Sequence, residues 1–238
     1  MLGVVNHDPA DVPVLLVHGW GGSFETTWRR SGLVDLLADA GRRVIGVDLL
    51  GHGSAPKPHD PDAYGELTGR LFDAIDGSPR VDAIGFSLGA LTLLGAACER
   101  PDRFGRLVLA GVGRNAVSPP DLESHRRLIA ALDGSDPEPD NLSRLFVQYA
   151  EQPGNDRVAL TCVIRRERRP FEPHELAAIS ADCLVVIGDR DFAGPGDPLA
   201  ELLPNSRLVT LPGVDHFATT ENFGFFDATL EFLDALPS

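Results

Sequence analysis

No stretch of this sequence stays apolar for the roughly 18 residues that a membrane-crossing helix needs, which argues against a helical membrane protein. Basic residues are scarce as well: 21 Lys and Arg against 35 Asp and Glu leave a formal net charge of −14. A surface that acidic repels phosphate backbones and anionic lipid, so neither nucleic acid nor a membrane is an expected partner. Only three cysteines occur, Cys98, Cys162 and Cys183, far apart and each beside apolar neighbours. They offer no paired spacing for a metal and no disulfide framework, and they read as reduced core residues. Lysine is almost absent, Lys57 standing alone; this is a coding preference to which no function attaches. The opening Met1 to Val5, followed at once by Asn6-His7-Asp8-Pro9, has neither a basic leader nor an apolar signal core. The expectation is a cytoplasmic protein.

What is present in quantity is apolar material, 43% of 238 residues. That suits one good-sized domain with room for a small insertion, but not two full domains. Short runs of Val, Ile and Leu recur at Val14–Val17, Val44–Val47, Val81–Phe86, Leu107–Leu109, Leu184–Ile187 and Leu208–Val209. Each is too short for a helix and mostly unalternating, as in strands covered on both faces. Helical patterns lie between most of them: Leu33, Leu36, Leu37 and Ala40 share one face, as do Phe223, Phe226 and Leu230. Leu88 to Cys98 is apolar nearly all round and predicts a buried helix. Strands alternating with helices predict an α/β fold with a doubly wound, mostly parallel sheet.

One interval breaks that alternation. From Arg114 to Ser180 there is no convincing strand, while Leu142, Leu145, Phe146 and Tyr149 form one helical face and Leu128, Ile129 and Leu132 contribute to another. Pro119-Pro120, Asp136-Pro137-Glu138-Pro139 and Pro153-Gly154 punctuate them. The expected organisation is a core of residues 1–113 and 181–238, with 114–180 as a helical insertion.

Ligands of such a sheet bind beyond the carboxyl ends of its strands, and polar residues collect there. The first run ends in His18-Gly19-Trp20-Gly21-Gly22, the second in Asp48, the third in Ser87, the fifth in Asp189 and Asp191, and the last is followed by His216. Gly85-Phe86-Ser87-Leu88-Gly89 has the Gly-x-Ser-x-Gly form of a strand-to-helix turn that exposes its serine. By composition alone such a match arises in roughly one chain in ten, but this copy follows a strand and opens a helix, as the chemistry requires. A serine hydroxyl needs a base to take its proton. His216, in the loop Pro212-Gly213-Val214-Asp215-His216, is free to fold over Ser87, whereas His18 and His52 sit in tight glycine turns and read as structural. The base in turn needs a carboxylate on its other ring nitrogen. Asp191 is the candidate and Asp189 its competitor; Asp215 adjoins His216, so the two side chains diverge. The Asp189-Arg190-Asp191 run has no companion ligands that would make it a metal site.

In chain order Ser87, Asp191, His216, with His18-Gly19 after the first strand and Asp48 to Ser54 after the second, the sequence resembles the α/β-hydrolase superfamily over nearly its whole length. The resemblance implies hydrolysis of a small acyl substrate, an ester above all, through Ser87, His216 and Asp191 and a covalent acyl-enzyme, without a cofactor. It leaves lactone or C–C bond hydrolysis by the same residues open, along with a non-catalytic receptor on the same fold. It further implies that the backbone N–H groups of Trp20 and Leu88 receive the oxyanion and that residues 114–180 cap the site. Trp20, Phe86, Phe146 and Tyr149 are candidates to line an apolar substrate pocket, although Phe146 and Tyr149 serve equally as packing within the cap. The family's sheet usually begins with two extra strands, and the residues before Val14 leave room for one at most. The cluster Arg165, Arg166, Arg168 and Arg169 reads first as a solvated helix end, where cations are favoured; the alternative is a grip on a substrate carboxylate or phosphate.

Overall fold

The computed structural model describes residues 12–236. In chain order the elements are β1 (Val14–Val17), α1 (Leu33–Asp39), β2 (Val44–Val47), α2 (Gly69–Ala74), β3 (Val81–Phe86), α3 (Leu88–Glu99), β4 (Phe104–Ala110), α4 (Arg114–Val117), α5 (Leu122–Asp133), α6 (Asn141–Ala150), α7 (Arg157–Arg165), α8 (Pro173–Leu176), β5 (Asp182–Gly188), α9 (Asp197–Ala200), β6 (Ser206–Leu211) and α10 (Phe223–Phe232). The six strands form one sheet in the order β2-β1-β3-β4-β5-β6, with every neighbouring pair parallel.

Side-chain alternation explains the two faces. Leu15 and Val17 of β1 enter one core with Leu71 of α2, Leu93 of α3 and Leu199 of α9; Val14 and Leu16 enter the other with Leu33 of α1 and Phe225 and Leu230 of α10. All four β1 residues are fully buried, and each such side chain contributes about 1.5–3 kcal/mol relative to exposure. The sheet is therefore doubly wound, as the unalternating runs predict. β6 is longer than its apolar run suggests because it pairs only with β5, and its open positions carry Ser206, Arg207 and Thr210.

Between β4 and β5 the chain makes helices only. α5, α6 and α7 each open on an aspartate, Asp121, Asp140 and Asp156, whose side chain accepts from the backbone N–H of Glu123 (3.0 Å), Ser143 (2.8 Å) and Ala159 (3.0 Å). Such caps contribute about 1 kcal/mol apiece. Leu132, Ala150 and Leu160 join these three helices in a small core of their own, against which Trp20 and Phe146 pack. The flanking α4 and α8 belong elsewhere: Ala116 and Leu176 are part of the main core. The α5–α7 unit is thus a helical insertion set on the sheet's carboxyl end.

No helix among the described residues is long and apolar enough to cross a membrane. The residues before Val12, on which the expectations of at most one further edge strand and of a start without a leader fall, lie outside the described residues.

Candidate active site

The register brings Gly85 of β3 beside Val17 of β1, and Ser87 follows one residue past the end of the strand. Ser87 has φ 53° and ψ −113°, a left-handed backbone that costs a non-glycine residue about 1–3 kcal/mol. Hydrogen bonds on both sides hold it there: Ser87 N–H donates to Ala110 O (2.8 Å), and Leu91 N–H donates to Ser87 O (3.0 Å). The two glycines are needed for close approach. A Cβ on Gly85 would stand 2.7 Å from Ala90 N, and one on Gly89 would press on the carbonyl oxygens of Val17 and His18. α3 therefore starts directly against the end of β1, with the Ser87 hydroxyl projecting from the corner.

His216, beyond β6, reaches that hydroxyl. Its Nε2 is 2.9 Å from Ser87 Oγ, and its Nδ1 is 2.9 Å from both Oδ1 and Oδ2 of Asp191. A carboxylate oxygen only accepts, so Nδ1 carries the hydrogen and Nε2 offers its lone pair to the serine O–H. Asp191 and His216 are both buried, which shields the chain of hydrogen bonds from competing water. Oδ1 of Asp191 also accepts from Ala193 N–H (2.8 Å), fixing the carboxylate. Asp189, the competitor, points elsewhere: it is exposed and accepts from Gly213 N–H at 2.8 Å. Asp215 caps its own turn by accepting from Ala218 N–H (3.0 Å).

The loops after β1 and β2 are locked together beneath the site. His18 is fully buried; its Nδ1 lies 2.7 Å from Gly19 O, and its Nε2 accepts from Leu49 N–H at 3.1 Å. That pattern needs a neutral ring, and burial lowers its pKa accordingly. The His52 ring packs 5.1 Å from that of His18, and its Nδ1 donates to Leu50 O at 3.0 Å. Burial first, and then the neighbouring His18, push its pKa down to about 3. Burial works against the charge of Asp48, but hydrogen bonds from Ser54 and Phe24 outweigh it and hold the pKa below its ordinary value. Both histidines are structural in position, as their glycine turns suggest.

Two cavities meet at Ser87. The larger, about 760 Å³, is lined by Leu88, Leu91, Leu128, Ile164 and Phe192, with the arginine stretch at Arg165–Arg169. The smaller, about 310 Å³, is lined by Gly19–Gly22, Phe86, Tyr149, His216 and Phe217. Trp20 and Phe146 line both, so all four expected pocket residues reach a cavity wall. Trp20 also ties the β1 loop to the insertion: its indole Nε1 donates to Leu160 O at 3.0 Å, and its ring packs 5.0 Å from Phe146. Among the described residues neither Trp20 N–H nor Leu88 N–H finds an acceptor. Sequence reasoning missed two aromatics, Phe192 and Phe217, whose rings lie 4.2 and 5.6 Å from that of His216. Their signal was adjacency, since each directly follows a residue of the Asp191–His216 pair. The arginine cluster divides. Arg165 pairs with Asp133 (2.6 Å) and Arg169 with Glu175 (2.6 and 2.5 Å) at the surface, while Arg166 and Arg168 are half-buried on the cavity wall.

With fold and geometry in hand, residues 14–229 match the alpha/beta hydrolase family, and the chain belongs to that family. A 2-hydroxy-6-oxononadienedioate/2-hydroxy-6-oxononatrienedioate hydrolase of Burkholderia vietnamiensis is 29% identical over 250 residues, covering 92% of this chain and 86% of that one. A pimeloyl-[acyl-carrier protein] methyl ester esterase of Neisseria meningitidis is 28% identical, covering 85% and 86%. Another match, 36% identical, is shorter and spans 44% of this chain and 33% of its relative in Nocardia uniformis. The enol-lactonase of Burkholderia xenovorans superposes with a TM-score of 0.70 over 94% of this chain and 92% of that one; at 22% identity this is a likeness of fold.

Proposed function

We propose that the chain is a serine hydrolase acting on a carboxylic ester or related acyl bond, with Ser87 as nucleophile, His216 as base and Asp191 as the orienting acid. The observation that carries this reading is the unbroken chain of 2.9 Å contacts from Asp191 through His216 to Ser87, at the junction of two cavities. Ser87 Oγ attacks the carbonyl carbon as His216 Nε2 takes its proton, and Asp191 stabilises the imidazolium that forms. The developing oxyanion is received by the N–H groups of Leu88, at the first position of α3, and of Trp20. One such donor typically lowers the barrier by about 3 kcal/mol. His216 then protonates the departing alcohol, and a water it activates releases the acid. Within the interval 114–180, α5–α7 act as the cap and wall the larger cavity, while Trp20, Phe86, Phe146 and Tyr149 bound the space for substrate.

Ser87→Ala tests the reading. It should abolish turnover of p-nitrophenyl esters and labelling by a fluorophosphonate while leaving the melting temperature within a few degrees. A variant that still turns over or is still labelled overturns the assignment. Lactone and C–C bond hydrolysis use the same three residues, and a relative of similar identity is named for a keto-dienedioate substrate. A panel of esters, lactones and vinylogous diketo acids ranks these chemistries by kcat/KM.

A further inference from the structure

The larger cavity has polar lining residues that the proposed hydrolysis does not use. The side of the site on which each half of a substrate sits follows from the chemistry. The leaving group must receive a proton from His216, and His216 lines only the smaller cavity. The alcohol therefore departs on that side, and the acyl chain extends into the larger cavity past Leu88, Leu91 and Ile164.

The stretch that follows α7 lines the same cavity. A guanidinium has five N–H donors, and those of Arg166 and Arg168 are poorly used. Arg166 Nη1 donates to Val163 O (2.6 Å) and Arg168 Nη2 to Asn115 O (2.8 Å), whereas Arg168 Nη1 is buried with no hydrogen-bond partner. Among the described residues no carboxylate pairs with either, in a chain of formal charge −14. Glu167 lines the same cavity from an exposed position and pairs with neither. Buried cations are normally paired, because an uncompensated one costs folding free energy. Burial, and next the positive charge of Arg168, push the Arg166 pKa down to about 10, so it remains charged at neutral pH. His125 stands on the same wall, its pKa lowered by burial and then by the two arginines; neutral at pH 7, it adds a hydrogen-bonding group without adding charge.

We infer that Arg166 and Arg168 form an anion subsite on the wall of the acyl cavity, so that the preferred substrates are esters whose acyl chain ends in a carboxylate or a phosphate-type group. The inference rests on the serine-hydrolase reading, and it assigns the acyl half of the substrate within that reading. An apolar cavity with two guanidinium groups on its wall that pair with no carboxylate fits a short chain with a terminal anion. It fits a purely aliphatic chain poorly, because such a chain would cover the arginines without satisfying their N–H groups.

The test compares kcat/KM for three p-nitrophenyl esters of matched length, with pentanoyl, hemiglutaryl and 4-phosphonobutyryl acyl groups. The wild-type protein should prefer at least one anionic ester over the neutral one by about tenfold or more, the scale of a charge-assisted hydrogen bond. The ratio between the carboxylate and phosphonate arms identifies the anion. Arg166→Gln and Arg168→Gln should each lower the anionic-to-neutral ratio, mainly through KM, while Arg207→Gln, at a surface arginine that pairs with Glu231 and lines neither cavity, should keep it. Should the Gln variants fail to fold, product inhibition of the wild type decides. Glutarate should then compete with the neutral ester at a concentration about tenfold below that of glutaramide. Turnover of the neutral ester with no anionic preference, or a ratio unchanged in both variants, overturns the subsite and leaves the hydrolase standing. Absence of turnover on all three esters together with absence of fluorophosphonate labelling overturns the hydrolase reading itself.

Discussion

Asp189 and Asp191 differ by two positions and have opposite surroundings. The first is exposed and ties its turn to Gly213 N–H; the second is buried against His216. Asp191→Asn should lower kcat by roughly 10⁴-fold, because an amide no longer fixes the ring with its proton on Nδ1. Asp189→Asn should change kcat only a few-fold; steady-state kinetics on one ester ranks them, and the reverse order would move the acid to Asp189. Ser87 and His216 were legible in the sequence because a strained strand-to-helix turn and a loop beyond the last strand leave local marks in glycine and spacing. Arg166 and Arg168 were legible only as members of a cluster for which an anion grip was the second reading. A run of arginines after a helix looks like a solvated end, and which members face inward is decided by where the insertion settles on the sheet. Phe192 and Phe217 escaped for a related reason, since an aromatic beside a polar residue has no period that marks its direction.

At the scale of elements, the loops after β1 and β2 depend on two neutral buried histidines, and this makes the loop pair sensitive to acid. A base whose folded pKa lies below its unfolded value binds fewer protons in the folded state, so stability is full above the unfolded pKa and is lost as pH falls below it. For His52, lowered from 6.5 to about 3, the loss begins below pH 6.5 and continues towards pH 3, at up to about 1.4 kcal/mol per pH unit. His18, shifted in the same direction, adds to the slope. His52→Gln should therefore flatten the fall of melting temperature between pH 6.5 and 4, measured by calorimetry. An unchanged slope would show that His52 is not the group being titrated. The faces of α5 and α6 were legible in Leu128, Ile129 and Leu132 and in Leu142, Leu145, Phe146 and Tyr149, whereas α7 and the aspartates that cap all three helices emerged only in the structure. The edge strand β6 was readable only in part, because its exposed side carries polar residues that break the apolar run.

Over the whole molecule, chemistry and anchoring occupy opposite ends of the sheet. The carboxyl ends of β1, β3, β5 and β6 supply the site. At the other end Arg42, buried before β2, donates to Asp82 Oδ2 (2.5 Å) and to Leu233 O (2.6 Å), while Asp82 Oδ1 accepts from Arg106 N–H (2.9 Å). This pair joins β2, β3, β4 and the end of α10. Removing one partner of a buried pair strands the other charge at a cost of about 3–5 kcal/mol. Arg42→Met should lower the melting temperature by roughly 10 °C with kcat per folded molecule unchanged; a matched fall in kcat would mean that the two ends are coupled. The doubly wound sheet was legible because strands covered on both faces cannot alternate. The arrangement of the insertion over the site was not, because it depends on contacts such as Trp20 Nε1 to Leu160 O, 140 residues apart.

The account depends on Ser87 forming a bond to the acyl group. Rapid acid quench of the protein with a p-nitrophenyl ester, followed by peptide mass mapping, reads that directly. One acyl group on the peptide containing Ser87, appearing in step with the burst of p-nitrophenol and lost in Ser87→Ala, is the predicted result. Sustained turnover with the acyl group on another residue, or on none at any quench time, would contradict it.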